Sequence, residues 1–359
     1  MEYAQKKEQK IFSYIKRRHI MNMNLVTGKS RKYRLTAVLL ASGLLCTPAS
    51  MTAAAGTSEI GPGVGLETAD GLNRDYTVSE NSAFTKVNGQ YVNSEGSVIE
   101  GALSRGISVS KYQQDIDWMA AASDDISFAF IRMGYVDDLD PYFDVNMREA
   151  AAAGIQVGTY LYSQALTVED AIKEAQFAVR TAKEYKVSYP IAMDVESKVV
   201  EDAGLTRQQL TDIVNAFCST VEAAGFKPIV FSYNDWLVNK MDTSQIPYDI
   251  WYARYGTVNS YPNRTIWQCT DNGNVKGIEG PVCLELAFTD YSQVIPSAGW
   301  KQIDGAWYYF EDYQKVTGWK QLGETWYYLD PANGGIMAAD TTLTIDGTPY
   351  QFDASGAMM

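Results

Sequence analysis

Histidine is almost absent: the 359 residues contain one, His19. It lies in a basic leader expected to be removed, which leaves the rest of the chain without an imidazole. That excludes Ser-His-Asp and Cys-His catalysis and any histidine-ligated zinc site. Cysteine is nearly as scarce. After Cys46 only Cys218, Cys269 and Cys283 remain, an odd number that provides no disulfide framework. Either all three are buried thiols or one bridge forms, in which case Cys269 and Cys283 are the expected pair, since both fall in neighbouring predicted strands. Long apolar runs are missing too. LTAVLLASGLL is too short to span a bilayer as a stable helix, and no later run is apolar enough to do so. Lys29, Arg31, Lys32 and Arg34 precede it and Ala53 to Ala55 offer a small-residue cleavage site, so residues 1–55 read as a secretory signal peptide with a long basic leader. Met21 or Met23 would serve as an alternative start. Cys46 lacks the preceding small residue of a lipoprotein signal, so release rather than lipid anchoring is expected.

Basic charge is in deficit once that leader is set aside. Residues 1–55 hold ten of the 30 Lys/Arg and two of the 43 Asp/Glu, so the remainder carries 20 basic against 41 acidic side chains, net −21. Nucleic acid and anionic lipid are thereby poor partners, and a neutral or cationic ligand is easier to accommodate. What remains for catalysis is carboxylates, hydroxyls and aromatics, with no cofactor or metal implied. About 300 residues suit one large domain plus a small one.

Among the carboxylates, Asp194 and Glu196 stand out at the end of YPIAMDVES. Side chains two apart on a strand face the same side, so the two carboxyls share a space and influence each other's ionisation. Polysaccharide hydrolysis uses such a pair: an acid to protonate the leaving oxygen, and a second group to manage the electron-poor sugar carbon. Two carboxylates at a strand end also form solvated rims or bind cations, and the context must choose.

Residues 56–104 are rich in Gly, Ser, Asn and Glu and read as a linker with one short hairpin at Asn88-Gly89. From Arg105 short β-rich runs alternate with helical stretches: GISVS, FAFIRMGY, VNMREAAAAG, IQVGTYLYS, a long amphipathic helix from about Val168 to Tyr185, PIAMDVE, RQQLTDIVNAFCSTVEAAG and KPIVFSY. Three strand-like runs then follow with little helix between them: DIWYARY, TIWQCT and PVCLELAF. Strand–helix alternation implies a parallel sheet, and eight strands over 105–296 imply an irregular, TIM-like α/β barrel. Chemistry in such barrels sits at the C-terminal strand ends, where Asp194 and Glu196 fall. Residues 297–359 form a second module. GWKQIDGAWYYFEDYQKVT and GWKQLGETWYYLDPANGGIM align at nineteen residues, and TIDGTPYQFDASGAM is a degenerate third unit that keeps Tyr350 but neither Trp. Each unit is a hairpin too small to bury its own aromatic face, so the units must stack as a β-hairpin solenoid.

The ordered series RGISVSKYQQDIDW, FAFIRMGY, DPYFDVNMREAAAAGIQVGTYLYSQA, PIAMDVE and IWQCTDNGNVKGIEGPV resembles glycoside hydrolase family 25, the Chalaropsis-type lysozymes, over about Arg105 to Ile295. The resemblance implies a muramidase cleaving the β-1,4 bond between N-acetylmuramic acid and N-acetylglucosamine in peptidoglycan. Glu196 matches its proton donor. Asp194 matches the carboxylate that positions the N-acetyl group or stabilises the charged sugar. Tyr160, Tyr162, Tyr233, Trp251 and Gln268 are candidates for holding sugar rings, with core packing the alternative for each aromatic. Two family acids are replaced: Ser108 stands where the first strand carries Asp, and Cys283 where the last one does. Glu285, two residues past Cys283, is a candidate compensating acid reaching in from one step higher. The alternative to an active enzyme is an impaired, muramidase-like wall-binding protein.

The hairpin units resemble choline-binding, or cell-wall-binding, repeats. Trp300, Trp307, Tyr309, Trp319, Trp326 and Tyr328 are the expected binding residues, boxing a quaternary ammonium of choline or contacting another wall polymer. The expected partners are peptidoglycan glycan strands and such a polymer, and the expected location is outside the cell, on the wall.

Overall fold

The computed structural model describes residues 84–256 and 261–359. The leader, the cleavage site and the segment 56–83 lie outside the described residues, as do His19 and Cys46. Two short strands, β1 (Thr85–Val87) and β2 (Gln90–Val92), pair about Asn88-Gly89, both at positive φ. This hairpin does not hang free as a linker would. Tyr91 is buried and donates to Asp125 at 2.9 Å, and Phe84 packs on Trp267 with ring centroids 5.4 Å apart.

The barrel strands are β3 (Ser104–Val109), β4 (Ile126–Tyr135), a two-residue flap β5 (Asp138–Leu139), β6 (Gln156–Tyr162), β7 (Ile191–Asp194), β8 (Pro228–Tyr233), β9 (Asp249–Ala253), β10 (Arg264–Gly273) and β11 (Val282–Ala287). The order β3-β11-β10-β9-β8-β7-β6-β4, closed by β3 on β4, makes an eight-stranded barrel with β5 at the margin of β4. Near-continuous apolar runs such as that of β4 follow from burial on both faces, one against the barrel interior and one against helices. The helices are α1 (Trp118–Ser123), α2 (Phe143–Ala152), α3 (Val168–Ala182), α4 (Lys198–Asp202) and α5 (Arg207–Ala223). α5 starts at a capping box between Thr206 and Gln209 and buries Leu210, Ile213, Val214, Phe217 and Val221. After α5 no α-helix separates the remaining strands among the described residues; β8 and β9 are joined by a π-turn and a 3-10 turn.

One strand departs from the expected parallel arrangement. β11 runs antiparallel to both β10 and β3, with Cys283 opposite Ser108 and Glu285 opposite Gly106. Moving along β11 therefore descends, away from the C-terminal ends of the other strands. Glu285 lies one step deeper than Cys283, not one step higher. The reversal follows from a short return through residues 274–281, which suits an antiparallel pair.

Aromatic rings fill the lower interior. Phe128 stacks on Tyr189 (4.6 Å between centroids) and Phe130 on Trp251 (4.1 Å). Gly106 makes room: a Cβ there would sit 2.3 Å from the Phe128 ring. No disulfide joins Cys269 to Cys283. Both are buried thiols, as is Cys218, and Cys269 Sγ donates to the Leu284 carbonyl. Their neighbouring strands fit the expectation, but Cys269 falls in a register shift between Gln268 and Thr270 and has no direct partner across the ladder.

The C-terminal hairpins are β12 (Ala298–Ile303) with β13 (Ala306–Glu311) and β14 (Gln314–Lys315), β15 (Gly318–Leu322) with β16 (Thr325–Asp330) and β17 (Ile336–Met337), and β18 (Thr341–Ile345) with β19 (Thr348–Phe352). Their small core is Ala338, Ile345 and Phe352, with Trp319, Tyr328 and Tyr350 packed around it. The first hairpin docks on the barrel beyond α5, where the Lys315 amide donates to the Gly225 carbonyl. Gly225 has φ 91°, and a Cβ there would lie 2.8 Å from the Lys315 carbonyl, so both the turn and the docking require glycine. No helix among the described residues is long and apolar enough to cross a membrane.

Candidate active site

Asp194 closes β7, and Glu196 follows while its backbone is still pinned to the sheet. The Val195 amide donates to the Phe231 carbonyl at 3.0 Å and Ser232 Oγ donates to the Val195 carbonyl at 2.5 Å. The alternation thus extends past the formal strand end. Both carboxyls are enclosed, Asp194 fully and Glu196 to within 2%, and none of their four oxygens has a hydrogen-bond partner of good geometry. Burial pushes both groups well above the ordinary carboxylate range. Their surroundings differ. Asp194 is raised further by Glu196, while the Arg132 guanidinium opposes the rise. No cation acts on Glu196; there the Tyr233 hydroxyl is what opposes the rise. The two carboxyls thus sit in different surroundings, a cation beside Asp194 and a phenol hydroxyl beside Glu196.

Arg132 escaped the sequence reading, although an arginine inside the apolar run FAFIRMGY was a visible signal. It is buried and paired with Asp140, with Nε and Nη2 3.0 and 2.9 Å from Oδ2. Asp140 also accepts from the Lys111 and Tyr142 amides, so the ion pair is anchored on three sides.

The sugar-binding candidates divide. Tyr160 is fully buried with its hydroxyl lacking a partner, beside Arg132 and Asp194. Trp251 is buried against Phe130, Phe231 and Tyr160, its indole N–H also without a partner. Tyr162 is buried on β6, its Cα partnered with Asp194. Tyr233 and Gln268 belong to one hydrogen-bonded series through Tyr255, a residue the sequence reading missed. Tyr233 and Tyr255 hydroxyls are 3.0 Å apart, and Tyr255 donates to Gln268 Oε1 at 3.0 Å. The two altered family positions are neighbours, Ser108 facing Cys283 across the β3–β11 ladder. Glu285 does not join the Asp194–Glu196 pair. Its Oε1 accepts from Ser108 Oγ at 2.7 Å and Gln268 Nε2 at 3.2 Å, and those two bonds are what oppose its burial, which lifts it to about 8. No group of three or more metal-ligating side chains is arranged to hold an ion among the described residues.

On the hairpins, Trp300 and Trp307 share a face of the first unit, and the ring that closes on them comes from the next unit: Tyr327 lies 4.9 Å from Trp300 at 67°. With Met337 they line a hollow of about 340 Å³. The arrangement repeats one unit on, where Tyr350 meets Trp319 at 4.7 Å and 72° with Trp326 alongside. Register makes Met358 the counterpart of Met337, since Leu329 pairs with Met337 as Phe352 does with Met358. Tyr309 and Tyr328 lie across their own hairpins from Trp300 and Trp319, edge-on to them at 5.0 and 5.1 Å between ring centroids. The sequence signal for Tyr327 was the middle residue of WYY, which faces the opposite side from its neighbours.

Residues 107–278 match the family model of glycosyl hydrolases family 25, and 298–312 and 317–334 match that of a putative cell wall binding repeat. An uncharacterized protein, YegX, of Escherichia coli K12 is 30% identical over 192 residues, 49% of this chain and 66% of that protein. The autolytic lysozyme of Clostridium acetobutylicum is 24% identical over 209 residues (56% of this chain, 59% of that protein), and lysozyme M1 of Streptomyces globisporus 26% over 195 (50% and 65%). The chain thus spans no more than 66% of the length of these relatives. The modular autolysin LytC of Streptococcus pneumoniae superposes with a TM-score of 0.52 at 24% identity, covering 57% of this chain and 52% of that one, a likeness of fold.

Proposed function

Because the barrel of this chain belongs to glycosyl hydrolase family 25 and the hairpins after it to the cell-wall-binding repeats, we propose that the protein is a wall-attached muramidase cleaving the β-1,4 bond between N-acetylmuramic acid and N-acetylglucosamine. The observation that carries this reading is the pair itself, two carboxyls enclosed side by side at the end of β7, both raised by burial. Burial favours the protonated form of Glu196, which gives its proton to the glycosidic oxygen as the bond to the sugar carbon breaks. The Asp194 anion then faces the developing positive charge, or orients the N-acetyl group whose oxygen can attack that carbon. Tyr160 and Trp251 carry buried donors without partners, which suits groups awaiting a sugar hydroxyl or carbonyl. Export of the chain is supported by the basic leader and the apolar run after it.

The Trp300–Trp307–Tyr327 hollow, and its repeat at Trp319–Trp326–Tyr350, suit a quaternary ammonium, and choline on a wall polymer is the ligand we assign to them. Clearing of purified walls by the wild type, set beside Glu196→Gln, tests the enzyme reading. Equal, background-level clearing by both sinks it. Retention on a choline-like resin and release by free choline test the repeats.

A further inference from the structure

The hairpin units repeat in the way each one meets what precedes it. In the second unit Tyr327 stands opposite Lys320, and Met337 opposite Leu329. These two side chains close the hollow whose other walls, Trp300 and Trp307, belong to the unit before. In the first unit the same register places Tyr308 opposite Lys301, and Lys315 opposite Phe310. Tyr308 is therefore the counterpart of Tyr327, and Lys315 that of Met337. The backbone agrees: the amide after Lys315 donates to the Tyr309 carbonyl at 2.8 Å, as the amide after Met337 donates to that of Tyr328 at 2.9 Å. What precedes the first unit is the barrel. Tyr308 and Lys315 meet it at a hollow of about 130 Å³, lined also by Phe226 and Ile295 and by the acidic side chains Glu222 and Asp304. Here a cation is already in place. The Lys315 ammonium lies over the Tyr308 ring, 4.0 Å from its centroid. Attraction to a ring face is also how an aromatic hollow holds a quaternary ammonium.

We propose that the hollow between the barrel and the first hairpin is a cation site of the same build as those further along the stack, and that the chain's own Lys315 occupies it. In the next two units a thioether, Met337 or Met358, stands at this position and leaves the hollow to a ligand. A lysine there fills it from within. The wall ligand is thereby directed to the later hollows, and the first becomes a joint between the modules. The inference rests on reading those later hollows as quaternary ammonium sites. Burial lowers the affinity of Lys315 for its proton and Lys227 adds to that, while the Glu222 and Asp304 carboxylates oppose it. Lys227 itself is paired with Asp249 at 3.1 Å. The joint has other ties, since the Lys315 amide donates to the Gly225 carbonyl and Lys186 pairs with Asp312 at 2.8 Å. Lys315→Met should therefore empty the hollow while the hairpin stays docked.

Two measurements on the full chain test the proposal. Proton NMR of the Lys315 side chain, assigned from Lys315→Met, reads whether the ammonium sits on the ring. Its ε-methylene signal is expected upfield of that of an exposed lysine, because it lies over a ring face, and Tyr308→Leu is expected to return it to the ordinary position. Equilibrium dialysis against labelled choline counts the sites. The wild type is expected to bind two, in the Tyr327 and Tyr350 hollows. Lys315→Met should bind one more, and Lys315→Met combined with Tyr308→Leu should bind two again. A Lys315 signal that Tyr308→Leu leaves unmoved overturns the proposal. So does a folded Lys315→Met that takes up no more choline than a choline-binding wild type. A wild type that binds no choline defeats the ligand reading of the stack instead. The Lys315 signal then decides by itself whether the ammonium resides on Tyr308, as it does if Lys315→Met fails to fold.

Discussion

Asp194 and Glu196 are enclosed by the barrel, whereas Trp307 and Trp326 on the hairpins stand 43% and 37% exposed. Both modules are read as meeting the same wall, yet they use burial in opposite senses. In the barrel, loss of water raises the proton affinity of both carboxyls, with the Arg132 cation opposing the rise at Asp194 and the Tyr233 hydroxyl opposing it at Glu196. In the stack, partial exposure keeps aromatic faces available to a ligand, and the small core does little more than hold the hairpins in register. One module works by electrostatics in a closed space, the other by open surface. The contrast can be broken most severely at Glu196. Glu196→Gln should lower wall clearing by about 10²–10⁴-fold, the usual cost of a positioned acid, while resin retention is unchanged. Loss of both together would mean the modules do not act separately.

The next largest effect is expected at the ion pair. Arg132→Met leaves Asp140 charged and buried with only backbone donors, and breaking such a pair costs about 3–5 kcal/mol. Urea unfolding followed through the barrel should show that loss. A cost under 1 kcal/mol would mean Asp140 is already satisfied by the Lys111 and Tyr142 amides.

How far these features were legible in the sequence depended on what fixes them. The strand–helix series, the Asp194–Glu196 spacing and the nineteen-residue hairpin period are local patterns, and each is found in the structure where the residues placed it. The direction of β11 is a property of the connection before it and not of VCLEL itself, so Glu285 was assigned to the wrong end of the barrel axis. Tyr327 and Tyr350 were missed for a related reason. Pairing Trp307 with Tyr309 on one face is correct within a hairpin, and closure by rings of adjacent hairpins is what stacking implies, but the closing ring comes from the opposite face of the next hairpin. Tyr255, in DIWYARY, has no pattern of its own; only closure of the barrel brings it between Tyr233 and Gln268.

Stability against pH offers a smaller effect that belongs to the barrel alone. Glu285 titrates at about 8 when folded and at about 4.3 when unfolded. Between those values the folded state holds a proton that the unfolded chain has released. Stability is therefore greatest below the unfolded value and falls as pH rises toward 8, by about 1.4 kcal/mol per pH unit for this one group. Asp194 and Glu196, also raised, act in the same direction. Urea midpoints at pH 5 and pH 8 should show Glu285→Gln losing less stability over that interval than the wild type. Parallel losses would mean Glu285 is ionised throughout the interval.

The smallest expected effects lie in the stack, and they sharpen the contrast because its tryptophans are not equivalent. Trp326 lies beside Trp319 and is more than one-third exposed, whereas Trp319 also packs against the core of Ile345 and Phe352 through contacts with Tyr328, Tyr350 and Phe352. Trp326→Ala should cost only ligand contact, about 0.5–2 kcal/mol and so roughly a 2- to 30-fold weaker hold on the resin. Trp319→Ala should cost that and lower the unfolding midpoint of the stack as well, because it leaves a cavity beside Phe352. Tyr350→Phe retains the ring and should change neither, since the proposed ligand is held by the aromatic face. If Tyr350→Phe weakens retention as much as Trp326→Ala does, the hydroxyl is the contact. The hairpins would then bind by directed hydrogen bonds, as the barrel does, and the contrast between the modules would be lost.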